Sequence, residues 1–179
     1  MRGRRFRTSL GVVLTFALAA CGGGGTSARE YVRSLCGATA QWQENVQQRT
    51  VALASDLGGD PSPQEGKAAF REYLDDILAS TDTLVGRLED AGTPDVENGE
   101  QAADRVISSL QRVRDAFEEA RDQVDGLSTE SPEAFEQGAE EIGQTITTSL
   151  QGIQDPIGQD DAELQAVFED EPSCDKLQS

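Results

Sequence analysis

Asp155, Asp160, Asp161 and Glu163 crowd around Gly158, and oxygen ligands at such close spacing are what a calcium ion outside a cell would use. The spacing matches no EF-hand, which needs ligands at alternate positions and a closing Glu. The expectation is therefore a solvated acidic surface with no bound metal, and these four are the residues that would hold one. Glu169-Asp170-Glu171 is a second acidic run and reads the same way. Paired carboxylates also hydrolyse glycosides. Sugar sites want aromatic platforms as well, and the chain has one Trp and two Tyr. All three, Trp42, Tyr31 and Tyr73, fall on apolar stripes that read as core. There is no His. That removes Ser-His-Asp and Cys-His catalysis, the usual zinc sites and histidine-ligated haem. Gly22–Gly25 lacks the Lys-Ser/Thr of a phosphate loop. The residues point to a protein that is not an enzyme and carries no cofactor.

The thiols are more telling. Cys21 ends the run Leu18-Ala19-Ala20-Cys21. Before it come four arginines, Arg2, Arg4, Arg5 and Arg7, then an apolar stretch over residues 10–20. A charged start, a short apolar run and small residues make an export signal. The run is too short for a bilayer, which needs about 20 apolar residues. Arg4-Arg5 raises the twin-arginine route, although Phe6 and Arg7 depart from that pattern.

The box ending in Cys21 resembles the signal of bacterial lipoproteins. The resemblance implies cleavage before Cys21 and acylation of its thiol, with two or more chains needed for stable anchoring. Gly22–Gly25 then serves as a flexible tether. The expected parts are a signal peptide at 1–20, a Gly-rich tether at 21–26 and a helical domain at 27–179. The protein would sit on the extracytoplasmic face of the cell membrane.

Charge bounds the partners. The chain carries a formal −18. Taking the four signal arginines from its 15 basic residues leaves 11 against 33 acidic ones, or about −22. Nucleic acid is excluded as a partner, because binding it needs a basic surface. Anionic lipid would repel the domain. With Cys21 acylated, Cys36 and Cys174 remain, and two cysteines in an exported domain read as one disulfide.

Four segments must position these groups. The first starts at Ser27 with Glu30 three residues on, a capping-box pair. Tyr31, Leu35, Ala38, Trp42, Val46, Leu53 and Leu57 recur at helical steps along it. Arg49 falls inside that stripe, its stem packing while its head reaches out. The second starts at Ser62-Pro63-Gln64-Glu65 and carries Phe70, Leu74, Ile77, Thr81, Leu84 and Leu88. The third opens with Thr93-Pro94-Asp95 and carries Val96, Val106, Val113, Phe117 and Val124. The fourth opens with Ser131-Pro132-Glu133, carries Phe135, Ile142, Ile146 and Ile153, and ends at Pro156. A shorter helix runs from about Asp160 to Glu169. Strand signals are lacking. Short connections make neighbouring helices antiparallel, so the expected fold is all-α, an up-down-up-down four-helix bundle with a short C-terminal helix. That topology returns Cys174 to the start of the first helix, within reach of Cys36.

Three features together carry a wider resemblance: the Cys21 box, Tyr31-x4-Cys36 with Trp42 soon after, and Cys174 followed by Lys176-Leu177. In these the chain resembles small lipoproteins of actinobacteria. The resemblance implies export, lipidation and a helical domain, and it carries no activity to particular residues. The functional expectation is a lipid-anchored, non-catalytic envelope protein, joined to the membrane through its anchor and presenting an acidic bundle to an envelope protein whose identity stays open. The alternative is an extracytoplasmic carrier or sensor for a small molecule or divalent cation. Ala38, Ala103, Ala120, Gly138 and Ala139 would give such a ligand room, or would simply let helices pack closely.

Overall fold

The computed structural model describes residues 25–151 and 161–177. Five α-helices follow one another: α1 (Ala28–Leu57), α2 (Pro63–Ala91), α3 (Gly99–Asp125), α4 (Pro132–Gln151) and α5 (Ala162–Asp170). A 3-10 helix, Pro172–Leu177, follows α5. Among the described residues there is no strand, only an isolated bridge between Thr26 and Pro94. The described residues are all-helical in their regular structure, as the periodicity predicts.

Most helix ends lie where local chemistry puts them. The Ser27 hydroxyl accepts from the Glu30 N–H at 3.3 Å. At Ser62 the capping box is complete, because the Glu65 carboxylate also accepts from the Ser62 N–H at 2.9 Å. The Ala134 N–H donates to the Ser131 hydroxyl. All five helices place a glutamate in the first turn, where the N-terminal partial charge favours an acid.

The start of the third helix corrects the expectation. Thr93-Pro94-Asp95 has the grammar of a helix start, yet α3 begins at Gly99. Thr26 holds the intervening segment. Its N–H donates to the Thr93 carbonyl and its carbonyl accepts from the Asp95 N–H, both at 2.8 Å. Its hydroxyl donates to the Ala91 carbonyl at 2.6 Å. The sequence assigns Thr26 to the tether; here it is tied into the fold. Asn98, with φ of 66°, turns the chain into α3. Gly99 is required there, since a Cβ would collide with the Pro94 carbonyl oxygen.

Each long helix packs on the next, α4 also touches α2, and α5 and the 3-10 helix lie on α1. Polar partners form ladders along two seams. Along α1 and α2, Gln41 meets Arg87, Trp42 meets Thr81, Arg49 meets Asp76 and Thr50 meets Tyr73. Along α2 and α3, Arg71 meets Asp125, Asp75 meets Arg121 and Asp82 meets Arg114. Arg49 behaves as its place in an apolar stripe predicts, reaching out to an Asp76 oxygen at 2.8 Å.

Among the described residues the core divides into three clusters. Phe70, Leu74, Ile77, Val113, Phe117 and Ile142 form the largest, with Trp42 packed against it. Leu35, Leu84, Leu88 and Val106 form the middle. Tyr31, Val32, Cys36, Ala102, Leu164 and Cys174 close the end where α1 begins. Fully burying a side chain such as Leu74 or Ile77 contributes roughly 1.5–3 kcal/mol.

Candidate functional site

Cys36 and Cys174 are joined in a disulfide, with Cα atoms 5.0 Å apart across 138 residues. That separation lies within the range a disulfide spans. Both cysteines are fully buried. The bridge pins the 3-10 helix to α1 beside Tyr31 and Val32.

A second tie sits next to it. Glu171 belongs to the acidic run that reads as solvated surface, and that reading fails here. Its residue is 4% exposed. Arg33 from α1 donates to both carboxylate oxygens, Nε to Oε1 at 3.4 Å and Nη2 to Oε2 at 3.3 Å. Arg29 approaches Oε2 at 3.6 Å, and the Ser173 hydroxyl donates to Oε1 at 3.2 Å. Burial pushes the Glu171 carboxyl up, but the Arg33 hydrogen bond and charge and the Ser173 bonds outweigh it, and its pKa lies below the usual 4.5. Two arginines one turn apart on α1 therefore grip the far end of the chain. Glu169 and Asp170 are exposed, as expected of them.

The four candidate calcium ligands divide. Asp155 and Asp160 lie outside the described residues, as do Cys21, Ile153 and Pro156. Asp161 is buried and caps α5, its Oδ1 accepting from the Glu163 and Leu164 N–H groups at 3.1 Å each. Glu163 is exposed in the first turn of that helix. Asp161 is thus already employed as a helix cap. Among the described residues no group of three or more His, Cys, Asp or Glu is placed to hold a metal.

Among the described residues, the carboxyls of Glu171 and of Glu65 lie below their ordinary values, Glu65 through its hydrogen bonds to Ser62. Ser173-Cys174-Asp175-Lys176 spells Ser-x-x-Lys, as in some serine acylases. The Ser173 hydroxyl is committed to Glu171, and the Lys176 side chain is outside the described atoms.

The small residues divide: Gly138 and Ala120 sit in close packing, while Gly138 also borders an open concavity of about 500 Å³ and Ala139 one of about 450 Å³. A Cβ on Gly138 would stand 2.5 Å from Leu127 Cδ2, so the leucine occupies the space the glycine leaves. Ala120 is fully buried. Between α1 and α2 the clefts amount to about 40 Å³ beside Leu53 and Tyr73 and about 60 Å³ beside Trp42 and Leu84. Small-molecule pockets run to several hundred Å³. Among the described residues, Tyr31 has a buried hydroxyl with no hydrogen-bond partner, and burial pushes its pKa above 10.0.

No family model, curated protein or solved structure matches the chain.

Proposed function

We propose that the chain is a lipid-anchored, non-catalytic protein of the cell envelope. Cys21 would carry the acyl chains and hold it at the extracytoplasmic face of the cell membrane. The helical domain would form an antiparallel up-down-up-down bundle and bind another envelope protein through its acidic surface. The observation that carries this reading is the buried Cys36–Cys174 bridge. Disulfides persist in oxidising compartments, which agrees with the export signal expected at residues 1–20.

Two further observations support it. The polar ladders on both seams run down one helix as they run up the next, as antiparallel neighbours require. Arg49, Arg71, Arg114 and Arg121 are engaged with acids along the seams, and the chain's acids outnumber its bases 33 to 15. An excess of one sign steers and selects partners of the other sign.

The test is metabolic labelling with an alkyne palmitate in cells expressing the full chain or its Cys21→Ser variant, followed by fractionation. The wild type is expected in the membrane fraction with label, and the variant without label and released. Equal labelling of the two would overturn the anchor.

A further inference from the structure

At the far end of the molecule from the disulfide, the α1–α2 turn and the start of α4 enclose a hollow of about 450 Å³. The residues at that end dictate it. Pro61 and Pro63 flank the Ser62 cap, and Pro132 opens α4. Prolines offer ring carbons and no N–H, so the lining is poor in donors. Gly66 sets the wall. A Cβ there would stand 2.8 Å from Phe135 Cζ, so the Phe135 ring lies against the backbone of α2. Leu57 remains 37% exposed, although the α1 stripe predicts it as core. It is one of two large apolar side chains exposed among the described residues, and it lines this hollow.

The rim is acidic. Asp60 and Glu136 line the hollow and are exposed, and exposed Asp56 and Glu133 lie close in sequence to them. No lining residue is basic. Lys67, one residue past Gly66, is already committed: its ammonium donates to the Asp125 and Leu127 carbonyls at 2.8 and 3.2 Å. Anionic lipid is disfavoured at such a rim.

We propose that this hollow docks a segment of a partner polypeptide that inserts one bulky apolar side chain and flanks it with Lys or Arg. The apolar floor supplies the buried anchor that interface hot spots need, and the acids supply complementary charge. The proposal rests on the envelope-interaction reading above and names its surface. α1 has 30 residues, so at about 1.5 Å each the hollow would stand roughly 45 Å from the tethered end, clear of the lipid.

The test uses the full chain in nanodiscs of zwitterionic lipid and a fluorescent peptide with Leu-Phe between lysines. A second peptide has glycines in place of Leu-Phe. Anisotropy titrations should show the first binding roughly tenfold more tightly than the second, with binding weakening as salt rises. Leu57→Ala should weaken the first peptide several-fold. Asp60→Asn with Glu136→Gln, both on exposed positions, should weaken it and flatten the salt dependence. Val51→Ala, at the other exposed apolar position, should change nothing. Salt-sensitive binding indifferent to Leu57, Asp60 and Glu136 would overturn the hollow and leave the acidic-surface reading intact. Binding of neither peptide would overturn the hollow together with attraction of basic partners. The anchor reading would still be decided separately by the Cys21 labelling.

Discussion

The Trp42 indole N–H donates to the Thr81 hydroxyl at 3.0 Å, and that hydroxyl in turn donates to the Ile77 carbonyl at 2.8 Å. Thr81 is fully buried in an otherwise apolar stripe. Its oxygen is both donor and acceptor, so a polar group that would be costly in the core is satisfied. The bond also fixes the register of α1 against α2.

Thr81→Val keeps the shape and removes the acceptor. The indole N–H loses its partner, and the expected loss is about 1 kcal/mol. Urea unfolding followed by Trp42 fluorescence reads it directly, because this is the chain's only Trp. An unchanged midpoint would show that the bond adds nothing.

Glu171 ties the C-terminal segment to Arg33 with a pKa below its ordinary 4.5. A carboxyl lowered by folding binds its proton more readily in the unfolded chain. Its contribution is therefore complete above about pH 4.5 and is lost as pH falls through the lower folded value. Glu171→Gln should be less stable than wild type at neutral pH, and the two curves should converge in acid. Thermal midpoints across pH 2–7 check this; a constant gap would remove the ion pair as the cause.

The bridge between Cys36 and Cys174 closes a loop with a separation of 138 residues. In the chain-entropy model such a loop is worth roughly 4–5 kcal/mol. The double variant Cys36→Ala, Cys174→Ala should lose stability on that order. Hydrogen exchange should show α5 opening before α2 and α3, since α5 packs on α1 next to this tie. Unaltered protection of α5 would show that Leu164 and Glu171 suffice.

Tyr31 buries a hydroxyl without a partner. Such a group carries its desolvation cost uncompensated, about 1–3 kcal/mol. Tyr31→Phe should raise the unfolding free energy by about 1 kcal/mol. A loss of that size would instead reveal a partner, most simply a bound water.

Gly99→Ala should destabilise by about 1–3 kcal/mol, because its Cβ would meet the Pro94 backbone and not a flexible side-chain end. Gly143→Ala, on α4 with open space around the added methyl, should be neutral or slightly stabilising. Equal effects at the two sites, measured by urea midpoints, would place the strain elsewhere.

Helix starts at Ser27, Ser62 and Ser131 could be read from residues, because a cap depends on groups within one turn of each other. The helical class was equally legible in the stripes of α1, α2 and α3, and the disulfide in the count of thiols left after Cys21. Thr93-Pro94 shows where local grammar stops. It satisfies the same rule as Ser62-Pro63, yet Thr26, 67 residues earlier, claims its backbone hydrogen bonds. Glu171 shows the same limit for charge. Glu169, Asp170 and Glu171 are chemically alike in the string, and only the docking of the chain's end against Arg33 makes one of them buried and paired. Leu57 and Phe135 likewise have the periodicity of core, and the hollow beside them exists because helix ends from distant parts of the chain meet around Gly66. Capping and periodicity are short-range effects carried by neighbours in sequence. Burial, ion pairing and cavity shape depend on which distant surfaces meet, and packing settles that only when the whole chain folds.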